Sequence, residues 1–316
     1  MILLQSEIIE TILNYIEDNI IENINVELIA EKSGYSAFHF SRIFSETVGI
    51  SLIAYITWRK LQFALCDIYK GGKILDTAVK YGFETHGGFT KAFKKYFGSP
   101  PSVYILHVSN NSLSTVNIKT LQTKFRKGTL LMTPHIIEFT PFSVVGYPSR
   151  HTRENMKNTS DAPTFWNTIN LDYGTILTKL YDAFPKSKHC EISMCYDVDE
   201  GTGEFTYMLG RGIDNPDDLK NIQPDMKRVD ITGGLYAVFS TPPSECSYIK
   251  AAQDTWNEIF HNWLPQSEFE YDETRHDFEY HDQRDHGWYF GGKYQIDICV
   301  PIRQCEEAKR KWQTEE

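Results

Sequence analysis

The chain has 316 residues, 41% of them hydrophobic and 23% charged, with a formal net charge of −10. That length exceeds what one comfortable core needs and suits two domains, and no run approaches the roughly 20 apolar residues that a bilayer-spanning helix requires. Cys66, Cys190, Cys195, Cys246, Cys299 and Cys305 are scattered without a CxxC pair, so neither a disulfide framework nor a zinc site is expected. The opening MILLQSEIIE has no basic segment ahead of an apolar run, so it does not read as a signal peptide and the expected compartment is the cytoplasm. No membrane partner and no cofactor are expected. Charge is unevenly placed. Residues 1–23 carry five acids and no Lys or Arg, residues 24–107 carry ten Lys/Arg against six Asp/Glu, and residues 108–316 carry 22 against 31. The one positive block is where a nucleic-acid footprint is sought.

Residues 6–20 place Ile9, Ile12, Leu13, Ile16 and Ile20 on one stripe, which predicts a packing helix capped by Ser6 with its acids in solvent. An internal repeat follows. Ala30, Lys32, Gly34 and Tyr35 recur 48 residues on as Ala78, Lys80, Gly82 and Phe83. After a further one-residue shift, Phe40, Ser41, Arg42, Phe44 and Gly49 recur as Phe89, Thr90, Lys91, Phe93 and Gly98. Each copy predicts a short helix, a tight turn at Gly34 or Gly82, and a second amphipathic helix: a helix-turn-helix, present twice. Phe40, Phe44, Phe89, Phe93 and Phe97 are the expected core, and His39 is expected to be structural or to contact a phosphate. Residues 51–70 predict a connecting helix bounded by Ser51 and Gly71. It is about 30 Å long, close to the ~34 Å of one DNA turn, so both second helices are expected to reach successive major grooves.

Residues 5–107 resemble the AraC/XylS family of transcription regulators. SGYS (33–36), HFSR (39–42), the central helix with Arg59, the A-x-x-x-GF turn at 78–83, F-x-x-x-F-K-x-x-F-G from Phe89 and the closing PPSVY (100–104) carry the resemblance. It implies double-stranded promoter DNA and RNA polymerase as partners, with activation the expected direction. It also implies base-edge reading by Ala37, Phe38, Ser41 and Arg42 in the first copy and by His86, Gly87, Thr90 and Lys91 in the second. Arg42 suits a bidentate pair with guanine, Ser41 a base or phosphate, and Phe38 thymine methyls. Gly87-Gly88 departs from the family pattern: each glycine weakens a helix by roughly 1 kcal/mol relative to Ala and has no side chain to offer. The second reader is therefore expected to position the backbone, through Lys91, Lys94 and Lys95.

Residues 1–107 form the expected DNA-binding domain and 108–132 a linker, in which 118–128 either extends the linker or packs as a short element. Residues 133–305 form the second domain and 306–316 a tail. The second domain reads as a strand-helix-strand-strand unit built twice: 135–152, 165–184, 190–198 and 204–213, then 226–241, 249–267, 276–282 and 293–303. The expected fold is thus an all-α double helix-turn-helix domain followed by an α+β domain, its sheet covered by two helices.

P-F-x-V-V-G (141–146), GGLYAVF (233–239), the W-x-x-x-F-x-x-WLP-x-S run from Trp256, FEY (278–280) and ICVPI (298–302) make this half similar to GyrI-like effector-binding domains, and the whole similar to the Rob-type arrangement. The resemblance implies a small-molecule effector. It also implies that Glu279 faces an aromatic groove and balances a cationic ligand, with Tyr280, Trp166, Tyr196, Tyr207, Tyr236, Trp256, Trp263, Trp288 and Tyr294 as candidate walls. A partly desolvated carboxylate is stabilised by an organic cation, which ring faces also attract. Two alternatives stand beside this: a small-molecule hydrolase pairing Glu279 with Tyr236 or Tyr280, and a protein-interaction module without a ligand. His281, Asp282, Asp285 and His286 are expected in a loop and not in a metal site.

Overall fold

The computed structural model describes residues 2–108, 116–126, 132–152, 173–187, 190–245, 248–285 and 291–305. They form two compact units. The first takes the described residues of Met1–Pro101, Asn110–Leu130 and Cys305–Glu316, the second those of Ser102–Ser109 and Leu131–Gln304.

The first unit is helical: α1 (Ile2–Asp18), α2 (Val26–Ser33), α3 (Ala37–Val48), α4 (Leu52–Tyr69), α5 (Ile74–Lys80), α6 (His86–Phe97) and α8 (Ile118–Arg126), with α7 (Pro101–His107) starting at the boundary. Gly34 and Gly82 turn the chain between the paired helices with φ of 73° and 82°, a region open to glycine at little strain. The buried core includes Ile9, Ile12, Leu13 and Ile16 of α1, Phe40 and Phe44 of α3, Tyr55 and Leu61 of α4, and Phe89 and Phe93 of α6. Two expectations for α1 are corrected. It starts at Ile2, so Ser6 lies inside it and is no cap. Nor do all its acids face solvent: Arg59 of α4 is 1% exposed, and a buried guanidinium requires a carboxylate. Glu17 supplies it, accepting from Arg59 Nε at 2.7 Å and again from Nη2. Glu10 accepts from the Ile118 amide at 3.0 Å, and Gln122 donates to the Thr47 carbonyl at 2.8 Å, so the short element of the expected linker is a helix docked on α1 and α3.

The second unit contains β1 (His135–Phe139), β2 (Phe142–His151), α9 (Tyr173–Ala183), β3 (Glu191–Tyr196), β4 (Phe205–Ile213), β5 (Lys227–Ile231) and β6 (Gly234–Ser240). α10 (Tyr248–Glu258) continues through a π-helical turn (Ile259–Trp263) and a last turn (Leu264–Gln266), followed by β7 (Phe269–Tyr271), β8 (Phe278–His281) and β9 (Asp297–Gln304). Each repeat opens on two strands and not one. The first breaks at Thr140-Pro141, where proline has no N–H for the ladder, and the second at Thr232-Gly233. β1 pairs with β6 while β2 pairs with β4 and β5.

The antiparallel sheet runs β1-β6-β9-β8-β3-β4-β2-β5, with β7 on β9. Exchanging the two repeats reverses this order onto itself, so a pseudo-two-fold axis passes between β8 and β3. Gly146 and Gly210 face one another where β2 crosses β4. A Cβ on Gly146 would stand 2.3 Å from the Leu209 carbonyl oxygen, which accounts for the glycine closing P-F-x-V-V-G.

Candidate functional site

In the first unit, α3 and α6 start on matching caps. Ser36 accepts from the His39 amide at 3.3 Å and Thr85 from the Gly88 amide at 3.0 Å. An uncapped helix end leaves amides without partners, so these hydroxyls fix where α3 and α6 begin. Phe38 is 80% exposed, which leaves its ring open to a partner surface. Arg42 is exposed beside it, 3.8 Å from Glu46. Ala37 and Ser41 are half-buried at the base of the same face. In α6, Gly87, Lys91 and Lys95 are exposed and His86 and Lys94 half-buried, while the Thr90 hydroxyl is enclosed and not offered to a base. His39 packs edge-on against Tyr35 at 5.0 Å. The 18-residue α4 joins the two copies over about 27 Å.

In the second unit, side chains alternate across the sheet. Ile192, Met194, Tyr196, Tyr236, Phe278 and Tyr280 pack together on one face. Glu191, Ser193 and Cys195 of β3 and Glu279 and His281 of β8 take the other, which α9 and α10 cover. Around the pseudo-two-fold axis, Ile192 pairs with Tyr280, Glu191 with His281 and Ser193 with Glu279. The axis therefore exchanges Glu191 with Glu279. Each carboxylate accepts from an aromatic donor of its own repeat's helix: Glu191 from the Tyr181 hydroxyl, Glu279 from Trp256 Nε1 at 2.8 Å.

The two differ in charge balance. Arg211 stands across the ladder from Glu191, its guanidinium 4.2 Å from the Tyr181 ring centre and donating to the Phe184 and Ser187 carbonyls. The corresponding neighbour of Glu279 is Ile298. Glu279 is buried, with neutral donors in Trp256 and in Ser193, whose hydroxyl lies 3.0 Å from Oε2. His281 Nε2 stands 3.8 Å from Oε2. Burial pushes the Cys195 thiol well above its usual range, and the charges of Asp277 and Glu279 push it further. Asp277 accepts from the Tyr271 hydroxyl at 2.6 Å and lies 3.1 Å from His107 Nε2.

The expected aromatic walls do not form one box. Trp256 and Tyr207 share the face of Glu279, and Trp263 packs on the same side against Phe239 and Phe269. Tyr196, Tyr236 and Tyr280 lie on the opposite face, because their register positions have the other parity. That also corrects the hydrolase pairing: neither Tyr236 nor Tyr280 shares a face with Glu279. Tyr294 sits apart, bridged to Ser244. Trp166, Trp288 and His286 lie outside the described residues. His281 ends β8 and is not in a loop, with Nδ1 2.9 Å from Asp285 Oδ2, while Asp282 holds Arg284. Sequence reasoning missed Glu191, Ser193, Arg211 and Tyr181. The parallel of Glu-Ile-Ser (191–193) with Glu-Tyr-His (279–281) was the available signal.

The family model described as integron-associated effector binding protein matches residues 135–302, and a helix-turn-helix domain model matches residues 29–106. The HTH-type transcriptional activator AarP of Providencia stuartii is 38% identical over 103 residues, 32% of this chain and 76% of AarP. The uncharacterized HTH-type transcriptional regulator YbfP of Bacillus subtilis is 39% identical over 97 residues, 30% of this chain, and the match spans a third (33%) of YbfP's own length. The structure of SAV2435 bound to tetraphenylphosphonium aligns with a TM-score of 0.42 at 17% identity, over 58% of this chain and all (100%) of that one.

Proposed function

Because the chain belongs to the integron-associated effector binding protein family, with a helix-turn-helix domain of the AraC/XylS family ahead of that module, we propose that it is a transcription regulator whose DNA affinity or activity is set by a lipophilic organic cation bound at Glu279. α3 and α6 read double-stranded promoter DNA. Phe38 and Arg42 discriminate bases, and Lys91 and Lys95 hold the phosphates. The likeness to an activator supports activation as the direction of control, and our reading takes RNA polymerase as its partner and the cytoplasm as its site of action. No helix among the described residues is long and apolar enough to cross a membrane. The effector acts by shifting the population of competent states.

One observation carries the sensor half of this reading. Of two carboxylates related by the pseudo-two-fold axis, Glu191 has a guanidinium as cross-strand neighbour and Glu279 has an isoleucine. A buried carboxylate whose hydrogen-bond donors are neutral and whose cross-strand neighbour is apolar gains more from an added cation than one facing a guanidinium. A thermal-shift series with tetraphenylphosphonium, neutral aromatics and aromatic anions tests the chemical class. Cations are expected to raise the melting temperature of wild type and not of Glu279→Gln. Stabilisation by anions, or an equal response of the variant, contradicts the reading.

A further inference from the structure

Resting on the reading of Glu279 as the cation site, we propose that a proton on His281 and the organic cation compete for Glu279 through Ser193, so that effector binding expels a proton. His281 is thus a specificity-determining residue: it is the pocket carboxylate's resident counter-ion, displaced by the ligand.

The hydrogen-bond line fixes the chemistry. Asp285 Oδ2 lies 2.9 Å from His281 Nδ1, and a carboxylate only accepts, so Nδ1 carries a hydrogen in either protonation state. Ser193 Oγ lies 3.0 Å from His281 Nε2 and 3.0 Å from Glu279 Oε2. It has one hydrogen and two claimants. With a neutral imidazole, Nε2 is bare and draws the Ser193 hydrogen away from Glu279. With an imidazolium, Nε2–H donates to Ser193, and Ser193 donates to Glu279. All donors then point one way, from the imidazolium through the hydroxyl to the carboxylate. The imidazolium also stands 3.8 Å from Glu279 Oε2.

The surroundings of His281 favour its charge. β3 presents Glu191 as its cross-strand partner together with Ser193. The turn after β8 presents Asp285, and its Arg284 is tied to Asp282 and Asp297. α10 presents Tyr248, edge-on at 5.0 Å, and Trp256, which is held by Glu279. α9 presents Tyr181, held by Glu191, with Arg211 stacked on its outer side. Burial opposes the imidazolium, but Asp285, Glu279 and Glu191 outweigh it and hold the His281 pKa above the usual 6.5.

An organic cation on Glu279 withdraws from His281 the negative charge that supports its proton. Below the His281 pKa of the free protein, binding then requires proton loss, so affinity rises with pH and levels off above it.

The test is calorimetric titration of the full chain with tetraphenylphosphonium between about pH 6 and about pH 8.5, in two buffers of different protonation enthalpy. Wild type is expected to release close to one proton at the acid end, with affinity rising about tenfold per pH unit there. Ser193→Ala, which removes only a hydroxyl, is expected to bind with a much flatter pH profile, and His281→Gln with none. Wild-type binding that ignores pH and buffer overturns the proposal, as does a wild-type profile retained in both variants. Should tetraphenylphosphonium bind at no pH, the Glu279 cation reading falls and this competition with it. That failure is told apart by NMR titration of the His281 ring without ligand. There Glu279→Gln is expected to lower the ring's pKa by about half a pH unit or more, and an unchanged pKa refutes the coupling itself.

Discussion

His107 lies flat on Trp256, ring centres 3.9 Å apart and planes 17° apart, and the same indole donates to Glu279. His107 ends α7, the helix that follows directly on the second helix-turn-helix, so the chain leaving the DNA-binding unit is fastened to the donor of the candidate effector carboxylate. Trp256→Phe keeps a ring for His107 and removes the N–H. A buried charged acceptor that loses a donor is expected to destabilise the second unit by about 2 kcal/mol, measured by denaturant unfolding. His107→Ala is expected to leave cation affinity within about threefold while reducing the cation's effect on DNA binding, the stack itself contributing about 1 kcal/mol. An unchanged effect on DNA denies α7 a role in coupling.

Glu17 holds a guanidinium that is almost wholly buried, and breaking such a pair strands a charge. Glu17→Ala is expected to destabilise the first unit by about 3–5 kcal/mol. A change under about 1 kcal/mol in urea unfolding would mean that water reaches Arg59.

Gly87 is a helical residue, and a Cβ built on it meets no atom within 4 Å. Gly87→Ala is therefore expected to stabilise α6 by about 0.5–1 kcal/mol and to raise the melting temperature of the first unit by several degrees, roughly 4 °C. A fall in melting temperature contradicts the helix start at His86.

Among the described residues Arg42 is held by an exposed 3.8 Å contact to Glu46, which contributes little, so it can leave Glu46 for a base at small cost. Arg42→Ala is expected to lose about 1–3 kcal/mol on a selected operator and to relax preference at one position. Lys91→Ala should weaken all sequences evenly and lower the salt slope by about 1. Equal losses on all sequences for Arg42→Ala place it on phosphate.

The DNA-binding half was legible because its signals are local. Caps, the glycine turns at 34 and 82, and phenylalanines at helical spacing each act within a few residues. The second half depends on register. Glu279 was found through the FEY context, but which aromatics share its face follows from the pairing of β8 with β3, which no single strand encodes. Tyr236 and Tyr280 were misplaced for that reason. Pro141 and Gly233 marked the strand breaks, yet each stretch stayed apolar across the break and read as continuous. His281 and Asp285 were passed over as loop residues because their bond crosses the end of a strand. Arg59 was noted for its motif, while its carboxylate partner lies 42 positions away.

The most direct test of the sensing claim is isothermal titration of tetraphenylphosphonium into wild type, Glu279→Gln and Glu191→Gln at one pH. The asymmetry of Arg211 and Ile298 requires Glu279→Gln to lose about tenfold or more in affinity, roughly 1.4 kcal/mol. Glu191→Gln should stay within about threefold. Equal losses in both variants, or a larger loss at Glu191, would contradict the assignment of Glu279 as the effector carboxylate.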